Sequence, residues 1–394
     1  MAELSSTPFQ VFSAFLVFVG GSIIALTVGK YFNVSSSRSL LLYFWHTAFS
    51  LVYAAYVLNF GGDATMYFLS GFSGDLQFSL GTQGVRFVVF ILSQGLGLSF
   101  LGCSLFFQVF GFLGLLAFDG SLREVTWRKS RGIRMLATFI ILLPSVSFWS
   151  SGLGKDSLSF LAAGLALWSA INMRKRWSLL VVSMLIMLLV RPHMAGMLGL
   201  GLAGSFFLQR GIPITQRIFL GGIAIAASAA MVPMGLNYAG VGEDAGAVEL
   251  IEYIEGRQSH NLTGGGAVDI AGMSPPVQLF TYLFRPTLIE VRDFFSLAAA
   301  LDNLILLGLF VWGGLSLIRK PLPYHLKRHN RMFLWIYSSA AWTILAMTTA
   351  NLGIALRQKW MFAPMLIFLL ISVVGKDGTL SESNPGDGKV RRFR

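Results

Sequence analysis

The sequence predicts an all-α membrane protein, a bundle of about eleven transmembrane helices. Of its 394 residues, 55% are hydrophobic and only 12% are charged, and the mean hydropathy is +0.68. Soluble domains carry roughly twice that share of charged residues. The 34 phenylalanines and 43 glycines are typical of packed spanning helices with aromatic residues near the membrane surface.

Eleven apolar stretches are candidate spans. They cover residues 9–29, 39–60, 86–118, 135–150, 157–173, 178–191, 193–209, 218–236, 296–318, 333–350 and 359–375. The third is long and predicts an interfacial segment followed by a span. The four short stretches between 135 and 209 suit helices shielded by the rest of the bundle. Residues 1–375 are therefore predicted to form one transmembrane domain, with a long loop at about 237–295, and 376–394 a disordered basic cytoplasmic tail.

Charge alternates between successive loops and predicts the orientation. One set of loops and the C-terminal tail hold 22 of the 30 basic residues, and the other set holds 12 of the 18 acidic ones. Cytoplasmic loops of membrane proteins are enriched in Lys and Arg, so the basic set is expected inside, with the N-terminus outside and the C-terminus inside. The net charge of +12 then reflects topology, and no nucleic-acid partner is expected.

Several chemistries are excluded or disfavoured by the sequence. Cys103 is the only cysteine, which rules out an intrachain disulfide and a cysteine-based metal cluster. The chain has no P-loop, no HExxH and no GxSxG motif, so ATP-driven transport by this chain alone is disfavoured. We expect no metal and no cofactor.

The stretch "SSGLGKDSL" places a lysine and an aspartate at the turn between two short spans, on the predicted outer side. Lys155, Arg191 and Arg357 each end a span beside Gly, Pro or Asn, where the chain can open a cavity. Arginine binds phosphate oxygens in a bidentate manner, so these three residues and Arg285 are candidate phosphate-binding residues. Snorkelling or structural ion pairing explains any one of them equally well. Possible supporting residues are Asp156, His193, Lys359, Arg292 and His260.

Two carboxylates have candidate roles in this region. Asp63 follows the second span behind two glycines and could act as general base for an attacking sugar hydroxyl. The alternative is a helix-capping or solvated loop aspartate, which the sequence favours slightly. Asp156 is expected either to pair with Lys155 or to cap a helix that begins at Ser157.

Three strings carry a family resemblance: "LPSVSFWSSGLGKDSL", "SPPVQLFTYLFRPTLIEVRDFFSLAAALDNLILL" and "NLGIALRQKWMFAPMLIFLL". They resemble membrane proteins of bacterial polysaccharide gene clusters and, more distantly, O-antigen-polymerase-like and GT-C type glycosyltransferases. In those families an acidic residue follows an early helix and an arginine precedes a proline-containing apolar run. Asp63 and Arg357, with Pro364, occupy comparable positions here. GT-C enzymes usually begin inside the cell, whereas this chain is predicted to begin outside.

The resemblance implies a bacterial inner-membrane protein of exopolysaccharide or cell-envelope glycan synthesis. Its substrate would be a glycan linked to a polyprenyl (pyro)phosphate, and its partners membrane lipid and other envelope-assembly proteins. Three functions fit the residues: a glycosyltransferase or polymerase, a transporter or flippase of a lipid-linked glycan or anion, and a non-catalytic scaffold. The enzyme is favoured because few polar residues lie within the predicted spans, which suits a site on one side of the membrane.

Overall fold

The computed structural model describes residues 3–72, 78–208, 213–239, 266–270, 272–319, 326 and 329–375. All the regular structure in these residues is helical. The α-helices are α1 Pro8–Val28, α2 Ser36–Phe60, α3 Asp63–Ser70, α4 Thr82–Phe90, α5 Phe100–Thr126, α6 Arg131–Ile141, α7 Pro144–Ser150, α8 Lys155–Ile171, α9 Met173–Val190, α10 Pro192–Leu208, α11 Ile214–Ala239, α12 Pro275–Phe284, α13 Phe294–Arg319, α14 Arg331–Thr348, α15 Leu352–Gln358 and α16 Ala363–Ile371.

Five of these segments are long and apolar enough to cross a membrane: Pro8–Phe32, Ser36–Phe60, Phe100–Thr126, Arg131–Ser150 and Phe294–Arg319. A sixth candidate is the pair formed by Leu352–Met361 and Ala363–Ile371, which is bent by 62°. The chain is therefore a helical protein with five or six apolar helices of spanning length among the described residues.

Each of the eleven apolar stretches coincides with helical structure. The stretch 86–118 divides into α4 and α5, as expected for an interfacial segment followed by a span. The predicted span at 359–375 corresponds mainly to the second arm of the bent pair, since the chain bends by 62° between Leu352–Met361 and Ala363–Ile371. Pro364 lies at the second position of α16, where its ring cannot continue a preceding helix.

The centre of the bundle is formed by α5 and α8. Every residue of α8 from Ser157 to Ile171 is buried, as expected for a helix that is apolar on all sides. Gly114 on α5 and Gly164 on α8 allow the two backbones to touch, since a Cβ at Gly164 would lie 2.6 Å from the Gly114 carbonyl oxygen. Small residues permit this close approach in membrane helix pairs. The prediction that the short spans are shielded therefore holds for α8, whereas α9 exposes residues such as Trp177.

Helix α2 runs from one end of the bundle to the other. Its 25 residues extend about 37 Å at 1.5 Å per residue. Near its start, Arg38 makes a bidentate ion pair with Asp119 at 2.8 and 2.7 Å. Just beyond its end, Asp63 begins α3. We call these the basic end, where Arg38 lies, and the ion-pair end, where Asp63 lies.

Candidate functional site

The turn before α8 depends on its glycines. A Cβ at Gly152 would lie 2.6 Å from the ring of Tyr53, and one at Gly154 would lie 3.0 Å from the ring of Tyr67. Gly154 also has φ of +150°, a region that residues with a side chain rarely adopt. Two buried tyrosine rings thus lie over the turn and fix the start of α8. This packing explains why glycines directly precede Lys155 and Asp156 in this apolar segment.

Helix α8 begins at Lys155, two residues earlier than expected, so both charged residues lie in its first turn. The expectation that Asp156 pairs with Lys155 or caps a helix starting at Ser157 was wrong. Its Oδ1 accepts a hydrogen bond of 2.6 Å from Arg191 Nη2, and its Oδ2 lies 3.2 Å from Arg357 Nε. The Nζ of Lys155 donates to Thr82 Oγ1 at 3.1 Å.

Arg357 connects the ion pair of Asp156 and Arg191 to α3. Its Nη1 donates to Asp63 Oδ2 at 2.8 Å. Arg191 also donates from Nε to Ser159 Oγ at 3.2 Å. Arg191, Asp156, Arg357 and Asp63 therefore form a continuous chain of ion pairs, which we call the arginine–carboxylate network. It joins residues that are far apart in the sequence, at the end of α9, the start of α8, the last turn of α15 and the start of α3.

Burial in the network increases from Asp63 to Arg191. The side chain of Asp63 is 41% exposed, that of Arg357 21% and that of Arg191 only 5%. Burial alone would raise the pKa of Asp63, but the charge and hydrogen bond of Arg357 outweigh it and hold that pKa below its ordinary value. Lys155 and Arg191 add to this lowering. At rest Asp63 is therefore an ionised and weakly basic carboxylate.

The network as described pairs two arginines with two carboxylates. The charge of Lys155 also acts on Asp63. The surroundings are partly dehydrated, so these charges act on a ligand more strongly than they would in water. An anion that replaces a carboxylate at an arginine is the ligand best matched to this arrangement.

A crevice borders the network. It is lined by Trp149, Ser150, Asp156, Phe160, Arg357, Trp360 and Met361. The crevice leaves no room for a bound sugar in this conformation. Its walls combine two indole rings, a guanidinium and a carboxylate. Among the described residues, no cluster of three or more His, Cys, Asp or Glu side chains could hold a metal ion.

The structure also describes four other predicted site residues. Arg285 pairs with Glu290, its Nε donating to Oε1 at 2.8 Å, and a role for it in phosphate binding stays a prediction. Arg292 is exposed on the segment before α13. His193 is half-buried in the first turn of α10, two residues after Arg191. Lys359 is completely buried and contacts Asn303. His260 lies outside the described residues.

Sequence reasoning missed several residues of the site. Thr82, Ser159 and the two tyrosines over the glycine turn were not selected, although the glycines themselves indicated close packing. The buried His46 is a further case: its Nε2 lies 3.0 Å from Ser150 Oγ and its Nδ1 lies 3.3 Å from Gln108 Oε1. The signal that could have identified these residues is the presence of polar side chains at helical spacing on helices that face each other.

Comparison with protein families, with curated proteins and with solved structures finds no match.

Proposed function

We propose that the protein binds the phosphate of a polyprenyl-linked sugar at the arginine–carboxylate network and transfers that sugar to an acceptor. The observation that carries this proposal is the convergence of Arg191 and Arg357 on one carboxylate, beside an aromatic-walled crevice. The resemblance to polysaccharide-assembly proteins suggests the substrate class and, with it, a role in exopolysaccharide or envelope glycan synthesis.

The proposed reaction uses the ion pairs as exchangeable contacts. A phosphate oxygen of the donor takes the place of Asp63 at Arg357, which releases the carboxylate. The acceptor hydroxyl then attacks the anomeric carbon, and its proton passes to Asp63 as general base. The bond between that carbon and the phosphate oxygen breaks, and the electron pair leaves with the phosphate. Arg357 and Arg191 stabilise the negative charge that develops there.

The proposal includes an orientation. The basic end would face the cytoplasm under the positive-inside rule, and the ion-pair end the outer side of a bacterial inner membrane. With eleven spans, the N-terminus would lie outside. Lipid-linked sugars at the outer leaflet would then reach the crevice from the bilayer, with the polyprenyl chain in lipid and the phosphate at the network.

Binding of farnesyl phosphate, a short polyprenyl phosphate, tests the proposal directly. The neutral alcohol farnesol, which has the same chain, is the control ligand. Protein in lipid nanodiscs should bind farnesyl phosphate more tightly than farnesol. A hydrogen bond to a charged group contributes about 1.5–3 kcal/mol, so Arg357→Gln should weaken phosphate binding by about 10- to 150-fold.

Arg292→Gln is the matched control variant, because Arg292 is an exposed arginine outside the network. It should bind farnesyl phosphate like the wild type, and both variants should keep the wild-type melting behaviour closely enough to be compared. Equal binding of farnesol and farnesyl phosphate by the wild type would refute the proposal. Phosphate binding with no glycan product in membranes that contain the lipid-linked donor would instead favour the transporter or scaffold.

A further inference from the structure

Lys359 is a buried cation at the bend between α15 and α16. Its side chain has no solvent exposure, and it lies within the bent pair of helices that is long enough to span the membrane. An ionisable side chain at such a position is costly and is usually retained for a function. A methionine would fill similar space without a charge to dehydrate. The lysine therefore needs an explanation beyond packing.

The contacts of Lys359 reach α13. Its Nζ donates to Asn303 Oδ1 and lies 5.5 Å from the ring centre of Trp360. Asn303 in turn donates from Nδ2 to the Pro286 carbonyl at 3.0 Å. The neighbouring Asp302 accepts a hydrogen bond of 2.8 Å at Oδ2 from the backbone nitrogen of Ser145.

These hydrogen bonds connect the two walls of the crevice. Ser145 lies at the start of α7, and the same short helix carries Trp149 and Ser150 in one wall. Lys359 lies between Arg357 and Trp360, which belong to the other wall. Asp302 and Asn303, which are adjacent on α13, therefore hydrogen-bond to the chain segments of both walls. Lys359 itself is absent from the crevice lining.

We propose that Lys359 is a positioning residue for the anion site. Its hydrogen bond to Asn303 holds the bend against α13, and this sets where the guanidinium of Arg357 stands relative to Arg191 and to the opposite wall. The inference rests on the proposed function, because it assigns Lys359 a role in phosphate binding. Without this hydrogen bond the bend is held less rigidly, and the guanidinium of Arg357 is no longer fixed in the position that binds the phosphate.

Arg331 provides a matched control for Lys359→Met. It is also a buried cation at a helix terminus, since it is 7% exposed and donates from Nη1 to Ser372 Oγ at 2.8 Å and from Nη2 to the Leu369 carbonyl at 3.0 Å. It lies at the start of α14, and α14 adjoins the basic end of α8, where the Asn330 nitrogen donates to the Ala170 carbonyl. Arg331→Met thus removes a comparable buried charge far from the network.

The experiment measures farnesyl phosphate affinity and melting temperature for both variants in nanodiscs. Both should melt lower than the wild type. Lys359→Met should bind farnesyl phosphate about tenfold more weakly, whereas Arg331→Met should stay within about twofold of the wild type. Asn303→Leu, which removes the acceptor and keeps the cation, should weaken binding like Lys359→Met. Asn303→Asp, which keeps an acceptor, should restore most of the affinity.

Two results would overturn the inference. The first is wild-type affinity in Lys359→Met or in Asn303→Leu. The second is an equal loss of affinity in Arg331→Met, which would show that binding follows stability alone. Failure of the proposed function looks different, because the wild type itself would then bind farnesyl phosphate no better than farnesol.

Discussion

Replacing Asp63 by asparagine should make the protein bind farnesyl phosphate more tightly. In the resting structure Asp63 occupies Arg357 at 2.8 Å, so a phosphate must displace it. Asparagine is nearly the same size but has no charge to compete. The substitution removes both the charge that competes for Arg357 and the proposed base. The two roles of Asp63 therefore appear as opposite effects, tighter phosphate binding and slower sugar transfer.

The magnitude follows from the exposure of the pair. The side chain of Asp63 is 41% exposed and that of Arg357 is 21% exposed. Ion pairs this accessible to water contribute up to about 1 kcal/mol. The loss of such a competitor corresponds to a gain in affinity of up to about fivefold. Sugar transfer, in contrast, should fall by roughly 10²- to 10⁴-fold, the usual contribution of a general base.

Titration of nanodisc samples with farnesyl phosphate at pH 7 measures the affinity, and glycan formation in membranes measures transfer. Asp293→Asn is the control, because Asp293 is an exposed carboxylate that bonds only its own segment around Ser296. It should change neither quantity. Weaker phosphate binding by Asp63→Asn would show that this carboxylate does not compete for the arginine, and the exchange of contacts would be refuted. Undiminished transfer would remove Asp63 as the base.

Three further predictions concern the supporting structure. Gly164→Val should cost about 1–3 kcal/mol or more, because its side chain would meet the Gly114 carbonyl of α5, and a variant with wild-type thermal stability would contradict the packing described here. His46→Leu should cost about 1–3 kcal/mol by leaving buried polar partners unsatisfied, which a melting curve in detergent measures against His46→Gln as the milder change. The hydrogen bond from Arg285 lowers the pKa of Glu290 from 4.5 to about 2, so the contribution of this ion pair to stability is complete above pH 4.5 and is lost as the pH falls towards 2. The melting temperature should therefore fall more steeply over that range in the wild type than in Glu290→Gln. Parallel curves would exclude this ion pair as a source of stability.

The helical framework could be predicted from hydropathy because each span needs a long apolar stretch. All eleven stretches coincide with helical structure, even where the described helices are shorter than a membrane is thick. The bend after α15 could not be located in this way. Hydropathy averages over a window, so the apolar run through Pro364 resembles one continuous span, although the proline and the buried Lys359 both lie at its break.

The candidate site was predictable in part. Span ends that carry Lys155, Arg191 and Arg357 indicated where charge collects, since position along a helix follows from counting residues. The partners did not follow, because the direction in which a side chain points depends on how the helices rotate and pack. Asp156 therefore bonds two arginines from distant helices rather than the adjacent Lys155, and Arg285 pairs with Glu290 in its own segment.

Cysteine labelling tests the central claim, that the arginine–carboxylate network faces the outside of the cell. The buried Cys103 is the only cysteine and can be replaced by alanine to give a background without thiols. Asn59→Cys then marks an exposed position at the ion-pair end, and Ser130→Cys an exposed position at the basic end. A membrane-impermeant maleimide added to intact cells should label Asn59→Cys, and should label Ser130→Cys only after the membrane is permeabilised. Labelling of Ser130→Cys in intact cells, with Asn59→Cys accessible only after permeabilisation, would contradict the account.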